Sequence, residues 1–191
     1  MLPESFYDRS VHAVARDLIG CTVAHGDTAG VIVETESYER DDPACHAYVG
    51  LTPRTATLFG PPGHAYVYLS YGIHSLLNAV AEPEGSAAAV LIRALEPTRG
   101  IEQMVRRRRR AEPHELCSGP GKLTEALGLG LEMNDASLSE PPFAVRPRAG
   151  EWAGVEVSTG PRIGITKAAE RPWRFCAADS PYLSRPLPFA A

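Results

Sequence analysis

Val31-Ile-Val-Glu-Thr-Glu-Ser-Tyr38 is the stretch on which the reading of the fold turns. Residues 31–36 read as a strand. Side chains alternate along a strand, so Glu34, Glu36 and Tyr38 share one face if the chain stays extended. The two acids then stand about 6.5–7 Å apart along the backbone. Two readings are open. An antiparallel strand with one wet face carries acids outward at no cost. The other reading places a carboxylate and an aromatic ring in one pocket at the strand's end. Such a pair also suits an inverting glycoside hydrolase, whose acids lie about 6.5–9.5 Å apart. Spacing does not separate a sugar from a nucleoside, since both offer a glycosidic bond.

On the N-terminal side of this segment, residues 11–19 have helical apolar spacing and stop at Gly20. Residues 21–24 read as a strand, joined to 31–36 through the turn-rich stretch 25–30. On the C-terminal side, residues 39–63 form a polar, Pro- and Gly-rich loop too long for a passive connector. Strands are predicted at 65–70 and 76–81, separated by Tyr71-Gly72, and at 88–95. A helix is predicted over 98–110. Ser118 is placed to cap another helix running through 121–127. After an irregular stretch at 130–152, short strands are expected near 154–158 and 173–176. There is no internal repeat and no linker. The expectation is one α+β domain over residues 1–191, with a mostly antiparallel sheet flanked by helices and long loops.

A chain of 191 residues, 44% hydrophobic and 22% charged, buries roughly 70% of its unfolded surface without a staple. No apolar run approaches the ~20 residues of a membrane helix. The polar opening, residues 1–10, carries no signal-peptide core, which predicts a cytoplasmic protein. Cys21, Cys45, Cys117 and Cys176 are scattered, with no CxxC and no neighbouring ligand pair. That spacing argues against a zinc or iron–sulfur centre and for reduced thiols, so no metal and no cofactor are expected. The net charge of −4 argues mildly against a polyanionic partner. Arg106 through Arg110, however, are five consecutive arginines. Five helical residues turn through about 500°, so the run is expected to be a solvated surface.

Gly60-Pro-Pro-Gly-His-Ala-Tyr-Val-Tyr-Leu-Ser-Tyr-Gly72 carries three tyrosines. Tyr66 and Tyr68 share a strand face; Tyr71 falls on the turn, where an aromatic ring suits a wedge or a stacking group. The bland alternative is that these rings fill the core. Ser118-Gly-Pro-Gly-Lys-Leu123 is not a Walker loop, because Leu123 stands where Ser or Thr is needed. It still offers amides and Lys122 to a single phosphate at a helix start.

Taken together, these segments resemble the alkyladenine (3-methyladenine) DNA glycosylase family over about residues 5–185. The signposts, in order, are Ala15-Arg-Asp-Leu-Ile-Gly20, Val33-Glu-Thr-Glu-Ser-Tyr38, Ala44-Cys-His-Ala47, Thr52-Pro-Arg54 and Pro62–Gly72. Asn78, Val90–Pro97, Leu116–Leu123, Pro161-Arg-Ile-Gly164 and Arg171-Pro-Trp-Arg-Phe175 follow. The resemblance implies a monofunctional enzyme that flips damaged purines out of DNA and hydrolyses their N-glycosidic bond. It assigns Glu36 as the base that activates water, with Arg93 and the backbone carbonyl of Ile163 positioning that water. Tyr38 and Tyr68 would sandwich the flipped base, His46 would complete the wall, and Asn78 would crowd a guanine amino group. Tyr71 would be the wedge entering the duplex. Arg54, Lys122 and Gly164 are candidate phosphate contacts. Glu34 has no catalytic role in the family and is expected to be a structural partner.

The resemblance further implies double-stranded DNA containing damaged purines as the partner, no obligate protein partner and a monomer. Two other readings compete: a non-catalytic module that binds damaged DNA, and a glycoside hydrolase on a similar fold. The presence of Glu36 favours an enzyme. Tyr71 on its turn and the arginine run favour DNA.

Overall fold

The computed structural model describes residues 1–187. The stretch that opened the reading lies within a longer strand, β2 (Thr28–Tyr38). In chain order the other elements are α1 (Glu4–Tyr7), α2 (Val11–Leu18), β1 (Thr22–His25), β3 (Ala65–Ser70), β4 (His74–Ala81), β5 (Ala88–Arg99), α3 (Ile101–Arg108), α4 (Pro113–Leu116), α5 (Pro120–Leu127), β6 (Phe143–Arg146), β7 (Val157–Gly160) and β8 (Arg174–Ala177). The sheet runs β3-β4-β5-β2-β1-β6, and every pairing is antiparallel. The chain is therefore the expected α+β protein with a mostly antiparallel sheet.

β2 is long enough to hold two partners on one edge. Its first half pairs with β1, through Val31, and its second half pairs with β8, from Glu34 to Glu36. On the other edge it pairs with β5 along nearly its whole length. The centre of the strand is thus hydrogen-bonded on both sides, which makes it a rigid platform.

A bulge decides which way the acids point. The register between β2 and β5 slips between Ile32 and Glu34 and again before Thr35. Ile32 and Val33 both join the main core, and Thr35 Oγ1 donates to the Ala15 carbonyl of α2 at 2.8 Å. Ile32 and Thr35 therefore face the helices together, although they are three residues apart. Strict alternation from Ile32 would send Glu34 and Glu36 toward the helices as well; the extra residue reverses that parity.

The two faces of the sheet have separate covers. Val67, Leu77, Ala79, Val90 and Ile92 pack into the main core with Val11, Val14 and Leu18 of α2 and Leu123 and Leu127 of α5. Over the opposite face, Cys45, Ala47 and Leu58 from the long loop meet Tyr66, Val80 and Ala89 in a second apolar cluster. The loop at 39–63 is thus a structured cover with two short 3-10 turns, His46–Val49 and Ala56–Phe59.

Several expected boundaries move. The helix predicted at 98–110 is shorter, because β5 runs on to Arg99 and Gly100, at φ 71°, turns the chain into α3. A Cβ on Gly100 would lie 2.6 Å from the Asp27 carbonyl oxygen. Ser118 caps no helix; the N-cap of α5 is Gly119, with Pro120 in the first turn. The stretch expected to be irregular at 130–152 contains β6, which edges the sheet against β1. The arginine run is not wholly solvated. Arg107 donates to the Ala126 carbonyl at 2.8 Å, and Arg108 donates to the Leu116 carbonyl at 3.1 Å and pairs with Glu125. These guanidinium groups hold α3 to the carbonyl-bearing ends of α4 and α5, while Arg106, Arg109 and Arg110 are exposed.

Candidate active site

The antiparallel registers gather the candidate residues into one cross-strand row. Tyr66 of β3 lies opposite Asn78 of β4, Asn78 opposite Leu91 of β5, Leu91 opposite Glu36 of β2, and Glu36 opposite Arg174 of β8. Residues two positions along these strands point the same way. That rule adds Tyr68, Leu76, Ala89, Arg93 and Tyr38 to the same face, and all of them line a cavity of about 410 Å³.

Glu36 lies beneath this cavity, fully buried. Its Oε2 accepts from the Tyr38 hydroxyl at 2.8 Å and from Arg93 Nη1 at 3.2 Å. Its Oε1 accepts from the Ile163 amide at 2.7 Å. The sequence reading gave the Ile163 carbonyl the role of positioning water; what the structure shows is the Ile163 amide bonded directly to Glu36. Glu34, also fully buried, accepts from Arg93 Nε at 3.0 Å through its Oε1. One guanidinium therefore bridges both carboxylates of the strand. Burial works against the charge of Arg93, but Glu36 and Glu34 outweigh it and raise its pKa. The wet-face reading of the two acids is excluded by their burial. A buried carboxylate persists only when it is paired and hydrogen-bonded, as both are.

The walls are aromatic. Tyr66 and Tyr68 stack with centroids 5.4 Å apart. The His46 ring stands edge-on to Tyr68 at 4.5 Å, with Nδ1 3.0 Å from the Tyr66 hydroxyl. Burial, and secondarily Arg54, lower the pKa of His46 and keep its ring neutral. Burial and then the neighbouring Tyr66 push the Tyr68 phenol up to about 12. The Tyr38 phenol is raised further, by burial and then by the charge of Glu36. Asn78 Nδ2 donates to the Tyr66 carbonyl at 3.0 Å, which fixes the amide at the pocket wall.

At the rim, Tyr71 is 92% exposed on the β3–β4 turn, with φ at 51°. It lines the cavity together with Arg54 and Gly164. Of the remaining candidates, Lys122 is not a lining residue; it is exposed, with its Nζ 3.3 Å from Ser118 Oγ.

Sequence reasoning missed the supports behind this site. Arg162 and Asp42, both buried, form a two-pronged ion pair between the loops that carry Ile163 and His46. Arg162 also lies over the ring of Tyr38, 4.6 Å from its centroid. Nothing in the spacing of residues 120 positions apart connects them. Their partnership is purely tertiary.

A family profile described as methylpurine-DNA glycosylase matches residues 5–181. A protein of Rhodopseudomonas palustris is 55% identical over 188 residues, covering 98% of this chain and 90% of its own. One from Bradyrhizobium diazoefficiens is 56% identical over 187 residues, 98% of this chain and 92% of its own. A third, from Nitrosospira multiformis, is 50% identical over 185 residues, 97% of this chain and 94% of its own. All three bear the name "Putative 3-methyladenine DNA glycosylase". With a profile spanning nearly its whole length and relatives of this identity, the chain belongs to the methylpurine-DNA glycosylase family.

Proposed function

We propose that this protein flips alkylated or deaminated purines out of duplex DNA and hydrolyses their N-glycosidic bond, with Glu36 as the base that activates water. The observation that carries the reading is the placement of Glu36. It lies under an aromatic-walled cavity, bonded to Arg93 and Ile163 at its floor.

An ionised carboxylate offers about four lone-pair sites. Three are taken by Tyr38, Arg93 and the Ile163 amide. The fourth, on Oε1, is the acceptor for a water proton, and the resulting nucleophile attacks C1′ of the extruded nucleotide as the C1′–N bond breaks and the purine departs with its electron pair. A base inside a duplex is out of reach, so extrusion must come first, at a cost of a few kcal/mol. Stacking on Tyr38 and Tyr68 offsets this by ~1–3 kcal/mol per contact. Tyr71 fills the gap left in the duplex. Asn78, held by its bond to the Tyr66 carbonyl, is the group that a guanine 2-amino substituent would meet.

Among the described residues, those lining the cavity include no lysine. Direct hydrolysis therefore fits better than a Schiff base, and the product is an abasic site in an intact strand. A damage-binding module would have no use for a buried acid joined to an arginine beneath its pocket, and a sugar hydrolase would have none for an exposed tyrosine wedge.

The test is incubation with a duplex carrying a single hypoxanthine or 3-methyladenine, followed by alkali. Strand cleavage is expected only after alkali. Cleavage without alkali would contradict the monofunctional mechanism, and no cleavage on either substrate under any treatment would defeat the enzyme reading.

A further inference from the structure

Glu34 does not line the cavity, yet it is as deeply buried as Glu36 and holds the other end of Arg93. Its remaining side-chain hydrogen bonds come from Ser184. Glu34 Oε2 accepts from the Ser184 amide at 2.6 Å, and Oε1 accepts from the Ser184 hydroxyl at 2.8 Å. The same hydroxyl oxygen accepts from Arg93 Nη2 at 3.3 Å. A serine hydroxyl can donate once while accepting, and here it does both between an acid and a base. Arg93 is thereby pinned at three nitrogens: Nε by Glu34, Nη2 by Ser184 and Nη1 by Glu36.

The segment carrying Ser184 is anchored on both sides. Tyr182 and Leu183 pack against the main core before it. After it, the carbonyls of Arg185 and Pro186 accept from Arg174 Nη2 at 2.7 and 3.3 Å. Arg174 lies opposite Glu36 in the sheet, and its Nε lies 3.4 Å from Glu34 Oε1. Residues 182–186 are thus fastened behind the floor of the site.

We infer that Ser184 is a positioning residue for base excision: it fixes Glu34 and Arg93 together, so that Arg93 presents Nη1 to Glu36 at the cavity floor. The inference rests on the glycosylase reading above. Ser184 touches neither the cavity nor Glu36, so its loss loosens the guanidinium without removing any group that meets the base. Displacing a reacting group by about 1 Å costs up to ~100-fold in rate, whereas stacking on the tyrosines is unaffected.

The experiment compares wild type, Ser184→Ala, Ser184→Thr and Glu36→Gln on a duplex with one hypoxanthine. It measures single-turnover base release at saturating enzyme, Kd for the same duplex, and Tm. Ser184→Ala is expected to slow base release by about tenfold or more, with Kd unchanged within about twofold, and Ser184→Thr restores most of the rate. A Ser184→Ala rate equal to wild type would overturn the inference. So would a loss that Thr does not restore, or one matched by an equal loss in Kd. An inactive wild type would remove the glycosylase reading and this inference with it. An active wild type, an inert Glu36→Gln and an unaffected Ser184→Ala would remove the inference alone.

Discussion

Tyr71 shows most directly what one residue gives up for a role. It is almost fully exposed and holds a left-handed backbone at φ 51°, a conformation that costs a non-glycine residue roughly 1 kcal/mol. Folding gains nothing from the exposed ring, so Tyr71→Gly is expected to leave Tm unchanged or raise it slightly. The same change should weaken binding to a lesion duplex by roughly 5- to 150-fold, through a loss of about 1–3 kcal/mol of stacking. Unchanged lesion affinity would count against the wedge. His46 gives a second test at this scale. Its pKa is depressed first by burial and then by Arg54, so folding disfavours the imidazolium. The penalty is absent above the unfolded value near 6.5 and grows as pH falls below it. An NMR titration should place the His46 midpoint below 6.5 and move it upward in Arg54→Gln; a midpoint at or above 6.5 in the wild type would contradict the pocket's electrostatics.

Among the elements, two junctions hold the site in place. The Asp42–Arg162 pair ties the cover loop to the segment bearing Ile163, and both partners are buried. Removing one leaves a charge without its partner, which costs about 3–5 kcal/mol. Asp42→Ala should therefore lower stability by that amount in denaturant unfolding, and a change below about 1 kcal/mol would show that the pair is dispensable. At the β5–α3 junction, Gly100 combines a positive φ with a close approach to the Asp27 carbonyl. Gly100→Ala is expected to destabilise by at least about 2 kcal/mol. The strands that pair around β2 were readable from alternating apolar runs and turn residues, and so was the tyrosine hairpin, but their order in the sheet was not. The bulge near Val33 was not, because it exists only as a mismatch between β2 and β5. β6 escaped because a four-residue edge strand has too few positions to show a period. Arg107 and Arg108 were misjudged because the carbonyls they meet belong to the ends of two other helices, α5 and α4.

Over the whole molecule, one sheet serves two purposes. Its helix side supplies the cohesion, and its loop side carries the cavity to which the proposed chemistry is assigned. The residues at the site were identifiable as types: aromatic rings at strand spacing and a turn tyrosine along the cavity, and acids two apart on the strand behind its floor. Spacing alone did not choose Glu36 over Glu34. The structure separates them, since Glu36 meets the cavity floor through Tyr38 and Ile163, while Glu34 faces Arg93 and the chain's C-terminal segment. Asp42, Arg162 and Ser184 were invisible because each acts across more than a hundred residues of chain.

The central claim is that Glu36 activates the water. In Glu36→Gln the Tyr38 hydroxyl can turn from donor to acceptor, but the new NH2 also meets a fixed donor, Arg93 Nη1 on one side or the Ile163 amide on the other, so the Tm of the variant is measured with its activity. The decisive measurement is single-turnover release of hypoxanthine by this variant, alongside its affinity for the same duplex. The account predicts tight lesion binding with base release slowed by at least ~100-fold, in the upper range for general-base catalysis. Release at the wild-type rate would remove Glu36 from the chemistry and contradict the account.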